Sequence, residues 1–242
     1  MDDASGQPEP KVEKYNGAEI TSEMLQDAAR LFSENYGIWG PRGPKPGSRV
    51  SMSAAKLRRE CLPEKHEHRC GYSRIVVDGQ LVANAFACYW DCAAGRICWV
   101  TQLVVRPEFR SRRFATRLLG AFLEEQVWAY GIMSSHAHAC MAAVNAFGRK
   151  VDSVRLSDIR DHAELILAAS PIGYLKSARL HGSLFNAGVV DGSVSSADTH
   201  FFVDHAEPRQ ALEGVKGRLA PLEWPFGELM ECHEFVVIVK PQ

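Results

Sequence analysis

Five arginines, Arg106, Arg110, Arg112, Arg113 and Arg117, fall within twelve residues of a chain whose 28 basic and 29 acidic side chains sum to a net charge of −1. They stand where an apolar run, Trp99 to Val105, gives way through Pro107 to an amphipathic pattern. Cations at the start of a helix oppose its macrodipole and cost a little stability there. Set beside free backbone amides, the same cations make a receptor for a phosphate-bearing ligand. A solvated basic face is the other reading of these residues. The balanced total charge gives no general attraction for nucleic acid or acidic membranes, so neither is expected as a partner.

Other clusters are weaker. Cys61, His66, His68 and Cys70 are zinc-ligand types, but their spacing is cramped and matches no common zinc motif. His136, His138 and Cys140 straddle the junction of two elements; no metal is expected at either place. The glycine-rich dinucleotide fingerprint, the P-loop and the Gly-x-Ser-x-Gly elbow are all missing, which argues against the enzymes built on them. Seven cysteines are scattered without a disulfide framework. With no apolar leader and no run of about 18 apolar residues, the chain reads as soluble and cytoplasmic with reduced thiols.

These residues need elements to position them. A helix is expected over 22–35, where Met24, Ala28, Leu31 and Phe32 recur at helical spacing behind a Thr21 or Ser22 cap. The Gly- and Pro-rich stretch 37–47 reads as a loop, with Trp39 as an apolar wall if that loop faces a substrate. After a short helix over 54–60, strands are expected over 72–77, 81–90 and 96–105. The first two are joined by the hairpin signal Asp78-Gly79 and the last two by a turn over 91–95. A helix follows from Arg113 to Gly131, then a strand over 132–135 and a helix over 139–147. Beyond come helices over 157–169, capped by Ser157, and over 208–218, with strands over 199–205 and 234–240. The fold class is α/β: a mixed, mostly antiparallel sheet flanked by helices. One domain is expected over 13–242, after a disordered lead over 1–12 and with an insertion over 152–197.

The meander followed by strand, basic turn, helix and strand resembles the GNAT superfamily of acyl-coenzyme A-dependent N-acyltransferases. That family's signature is Arg/Gln-x-x-Gly-x-Gly/Ala after a strand ending in a Val-x-Pro-like sequence. Here Val105-Arg106-Pro107 precedes a segment in which Arg110 and Ala115 match. The resemblance covers about 70–150, and the runs 98–105 and 201–205 resemble fungal members. It implies acetyl-coenzyme A as acyl donor. Leu103, Val104 and Val105 would pair with the pantetheine arm, and Arg110, Ser111, Arg112, Arg113, Phe114, Ala115 and Thr116 would wrap the pyrophosphate. The strand at Ile132 would diverge from the one at Val100, leaving a wedge for the thioester. The acceptor implied is a primary amine of a small molecule, faced by Trp39, Trp90 and Thr101; nothing in the sequence fixes the oligomeric state.

The chain departs from the family at three positions. Arg113 replaces the first glycine of the turn. Phe147 aligns with the tyrosine that usually protonates the leaving thiolate, and Cys140 with an asparagine; phenylalanine has no proton to give. The strand 98–105 carries no carboxylate to act as base. A base would then come from Asp91, His136, His200, Asp204 or His205. A strand over 199–205 puts His200 and Asp204 on one face and His205 on the other. Ser134, Ser135 and Cys140 sit where the thiolate could be protonated, although Cys140 suits a buried core thiol better than a nucleophile. Two alternatives stay open: a coenzyme A-binding protein without turnover, and an acetyltransferase acting on proteins or peptides.

Overall fold

Branched and aromatic residues crowd the stretch 70–105, and there the chain runs as three long antiparallel strands, β2 (Cys70–Val77), β3 (Gln80–Cys92) and β4 (Gly95–Val105). Asp78 and Gly79 turn the first hairpin with φ of 49° and 74°, the left-handed pair that suits the twist of flanking strands. The computed structural model describes residues 10–148 and 150–241. β1 (Val12–Asn16) pairs antiparallel with β2. The expected lead is therefore corrected at its end: Val12 belongs to a strand, and residues 1–9 lie outside those described.

On its other edge β4 meets β5 (Ala129–Ser134), the one parallel pairing in the sheet. Beyond β5 lie β8 (His233–Val239), β7 (Ser196–Asp198) and β6 (Arg179–His181), each antiparallel to its neighbour. The order is β1-β2-β3-β4-β5-β8-β7-β6. This is the mixed, mostly antiparallel α/β arrangement expected from the sequence.

Helices cover both faces. α1 (Ser22–Asn35), capped by Thr21, and α2 (Ala54–Cys61) pack over β3 and β4. α3 (Phe114–Gly120) and α4 (Ala137–Ala143) lie against the sheet as well. Alternation along β3 shows how the layers divide. The Tyr89 hydroxyl donates to the Phe122 carbonyl just after α3, whereas the neighbouring Trp90 Nε1 donates to Ile166 of α5 (Leu156–Ala168). α5 therefore covers the face opposite α3. The segment 152–197 supplies α5, α6 (Gly173–Ser177), β6 and the start of β7, and α7 (Ala206–Leu219) follows.

The largest differences from expectation are at three places. α3 stops at Gly120 rather than Gly131, because the chain turns tightly there to bury Phe122 beside Gly71 while Leu123 faces out. α5 starts at Leu156, so Ser157 is inside it and no side chain caps it. The stretch 199–205 is not a strand: His200 is left-handed, with φ of 53°, and the only ladder contact there is a bridge between Val203 and Trp39.

Gly131 lies opposite Trp99 across the parallel pair, and a Cβ on it would come within 2.1 Å of the fully buried indole. Gly131→Ala should lower the thermal midpoint by roughly 3–10 °C, as expected for about 1–3 kcal/mol of overpacking in a chain of this size. An unchanged melting curve would show that the indole can move aside.

Candidate active site

The parallel pairing of β4 with β5 is short. It runs from Ile97–Ala129 to Val100–Ile132 and stops. The cause lies on the opposite edge of β4, where Phe86 faces Gln102 and its neighbour Ala87 faces Val100. Thr101 is thus an extra residue, a bulge that bends β4 away from its partner. Where the strands part, a cavity of about 240 Å³ opens between Val100, Thr101, Gln102 and Leu103 on one side and Ile132, Met133 and Ser134 on the other.

Four elements close it. Tyr36, just past the end of α1, stacks on Phe32 at 4.2 Å between ring centres and meets Phe201 at 5.8 Å. Phe201 is held from behind by the edge of Trp39, at 5.1 Å. Tyr174, from α6, donates its hydroxyl to the Thr101 carbonyl at 3.1 Å, inside the gap between the strands. Lys56 and Glu60 of α2 form an ion pair (3.7 Å) in the wall, near the exposed Ser51. Burial pushes the Tyr36 and Tyr174 hydroxyls well up, so both remain protonated at neutral pH.

The carboxylate missing from β4 arrives from β8. Glu234 is 9% exposed, lies opposite Ala197 in the β7–β8 ladder and lines the cavity. Burial pushes its carboxyl up to about 7, against the opposing pull of the Thr199 hydroxyl and the Ser135 amide. Among the described residues no cation pairs with it. A carboxyl in that range is a proton acceptor matched to neutral pH. The sequence signal was a lone charge at the head of the apolar strand 234–239; its importance depends on that strand lying beside β5.

At the far end of β4 the basic turn takes shape. Ser111 and Arg113 both have φ near 60°, so Arg113 occupies a left-handed position that glycine would hold without strain. Among the described residues, no backbone carbonyl accepts from the amides of Ser111, Arg112, Arg113, Phe114, Ala115 or Thr116. The arginines differ in engagement. Arg110 binds Glu207 of α7 at 2.5 Å and the Val105 carbonyl at 3.3 Å, while Arg112 lies over the Phe109 ring. Arg106 reaches Gln80 and Glu34, and Arg117 reaches the Pro10 carbonyl and the Phe114 ring. His136 and the Arg110 guanidinium hold the Glu207 carboxyl down to about 2.

Of the residues singled out from the sequence, Thr101 and Leu103 line the cavity, and Val104 and Val105 continue along β4 toward the turn. Ser134 lines it too, and several other candidates lie elsewhere. Asp91 pairs with Arg69 at the opposite end of the sheet, about 16 Å along β4 from Thr101 at strand spacing. Trp90 is buried beneath α5, and Trp39 buttresses Phe201 without lining the cavity. His200 is exposed beside Asp198, because its left-handed backbone turns it out between two cavity residues, Thr199 and Phe201. Asp204 accepts from the Ala206 amide at the start of α7. His205 is buried with both ring nitrogens unpartnered, and His136 caps α4. Cys140 is a core thiol pushed up by burial, with its sulfur toward the Ser134 carbonyl. Ser135 contributes its amide near Glu234 rather than a hydroxyl in the cavity. Phe147 stacks on Tyr130 at 4.2 Å, inside the core. Among the described residues, no three His, Cys, Asp or Glu side chains group as metal ligands, and no helix is long and apolar enough to cross a membrane.

No family model and no curated protein matches this sequence. Solved structures do. The chain is similar to a conserved protein of Enterococcus faecalis V583 described as a probable N-acyltransferase, at 13% identity over 52% of this chain and 29% of that one, with a TM-score of 0.35. It is similar to an aminoglycoside acetyltransferase from an uncultured soil metagenomic sample, at 12% identity over 46% and 65% of the two chains, TM-score 0.33. It is also similar to the N-acetylglutamate synthase of Neisseria gonorrhoeae complexed with coenzyme A, at 16% over 54% and 27%, TM-score 0.34. In each case the match spans less than two thirds of the other chain.

Burial of Glu234 has a consequence for stability. The folded chain keeps this proton up to about pH 7, whereas an ordinary glutamate releases it near 4.5. Between those values the folded state holds more protons than the unfolded one, so stability falls as pH rises through the window. Glu234→Gln cannot ionise. It should exceed the parent protein by on the order of 2–3 kcal/mol at about pH 8 and lose that advantage below about pH 4.5. Denaturant unfolding at both pH values checks this; equal differences would show that the carboxyl is not held protonated.

Proposed function

We propose that this chain transfers an acyl group, most simply acetyl, from coenzyme A to the primary amine of a small molecule. The observation that carries the reading is the buried Glu234 carboxyl facing a cavity at the point where β4 leaves β5. The free amides at the end of the same strand suit the donor's phosphates. The β4 edge beyond Val100, which among the described residues has no strand partner on the β5 side, suits an extended amide-bearing arm. Arg113 is exposed beside those amides and adds a cation where the family's glycine would add none.

Bound acetyl-coenzyme A would supply an activated acyl carbon, to which the amine nitrogen bonds as the carbon–sulfur bond breaks, the thiolate taking one proton and a second passing to solvent. The rest falls to the protein. Glu234, ionised above about pH 7, takes a proton from the incoming ammonium and frees the nitrogen lone pair. The Tyr174 hydroxyl, already at the bulged strand edge, is the donor in place of Phe147. The ring and thioether side chains of Tyr36, Phe201, Met52 and Met133 would cover one side of the reacting atoms. The segment 152–197, read as an insertion in a single domain, takes part by bringing Tyr174.

Acetyl-coenzyme A titration by thermal shift, followed by thiol release on a panel of amines, tests the proposal. Stabilisation with release supports it, stabilisation without release on any amine favours a binding protein, and no stabilisation at millimolar concentration overturns it. Glu234→Gln should bind acetyl-coenzyme A normally yet lose about 10²–10⁴ in rate. It should also lose the rise of kcat/KM with pH through about 7 that the parent shows. In the turn, Arg110→Glu should abolish acetyl-coenzyme A binding without unfolding the chain. Glu207→Gln, which frees Arg110 from its partner, should instead tighten binding by roughly three- to tenfold, the scale of a partly exposed ion pair. Calorimetry reads both, and equal affinities would place the phosphates elsewhere.

A further inference from the structure

The cavity walls also bear on which amine enters, given acyl transfer as proposed above. Their charges nearly cancel: Lys56 and Glu60 satisfy each other in the wall, leaving Glu234 as one carboxylate without a cation among the described residues. A single ammonium would complete that pair. A second ammonium in the same space would be desolvated with nothing to meet it, at a cost far above that of a neutral group.

Rings and thioethers make one continuous apolar part of the remaining lining, alongside aliphatic and hydroxyl side chains. Tyr36 and Phe201 meet at a tilt of 55° and form one wall, with Met52 and Met133 also in the lining. Such a surface favours another ring by stacking and edge contacts, and a flexible thioether adapts to its outline. A volume of about 240 Å³ holds on the order of ten non-hydrogen atoms at the molecular volume of water, which suits one ring and a short side chain.

We propose that the acceptor is a compact aromatic monoamine, a ring joined through a short chain to a primary ammonium, with its ring against Tyr36 and Phe201 and its nitrogen at Glu234. The two carboxylates are thereby distinguished: Glu234 receives the ammonium and Glu60 stays with Lys56. The aromatic pair selects, and the carboxylate orients.

The test uses the full chain with phenethylamine, n-propylamine, glucosamine and kanamycin, read both as direct binding by calorimetry without acyl donor and as thiol release with acetyl-coenzyme A. Phenethylamine should bind at least about tenfold more tightly than n-propylamine, the scale of an aromatic contact together with its buried area, and should have the highest kcat/KM. Phe201→Ala should weaken phenethylamine about tenfold more than it weakens n-propylamine; Phe201→Leu, which keeps the bulk without the ring, should recover part of that difference. A preference for glucosamine or kanamycin, or an equal loss for every amine in both variants, overturns the acceptor class and leaves acyl transfer standing. Selective phenethylamine binding without thiol release upholds the aromatic site and overturns the transfer chemistry. Failure of acetyl-coenzyme A to bind, with no amine preference, overturns both.

Discussion

One extra residue in β4 sets the geometry of everything near the cavity. Up to Val100 the strand is clamped to β5, and Gly131 lets the Trp99 indole lie across the parallel pair without a gap. At Thr101 the register with β3 slips by one residue and β4 swings away. A bulge at a sheet edge would merely bend that edge. Inside an eight-stranded sheet it separates two strands that are buried on both faces, and the space between them must be filled or left open. Tyr174 fills part of it by bonding the Thr101 carbonyl, and the rest is the cavity.

The same departure leaves two uncompensated sites of opposite sign. Among the described residues, Glu234 is a buried carboxyl with no cation beside it, and the turn after β4 offers six amides with no backbone acceptor. Several charges nearby are compensated locally. Arg110 has Glu207, Arg106 has Glu34 and Glu108, and Lys56 has Glu60. The cluster of five arginines is therefore less of an electrostatic beacon than its spacing suggests, and Arg113 is its freest member. A near-zero net charge with one demand for a cation and one for an anion suits a reaction that brings an ammonium and a phosphate-bearing donor together.

Most of the sheet was legible in the sequence, because the hairpin at Asp78-Gly79 and the apolar runs of β2 to β4 are local signals. So was the divergence at Val100 and Ile132, given the resemblance of the basic turn to a known arrangement. The bulge was not. Thr101 differs from its neighbours only in its partner on β3, and no single-strand pattern reports a register slip. The stretch 199–205 misled for a related reason: alternating residues there suggested a strand, but a left-handed His200 and the aromatic contacts of Phe201 govern its path. The nominations of His200, Asp204 and Asp91 were of suitable chemical type in unsuitable places.

On the elements adjoining the basic turn, Phe147 and the uncharged β4 offer neither acid nor base. Phe147 is committed to the core through its stack on Tyr130, which holds β5 just before the wedge. Replacing it by tyrosine would bury a hydroxyl in that stack, and a buried polar atom without a partner is costly. Three of the groups that face the cavity, Glu234, Tyr174 and Phe201, come from the C-terminal part of the chain, after the motif has ended. Two are brought in by the segment 152–197 and by the irregular run after β7, and the third by β8 pairing with β5. On the proposed reading, Arg113 and Phe147, which stand where the family this chain resembles has glycine and tyrosine, are compatible with a reactive cavity, because base and proton donor would come from a different part of the fold.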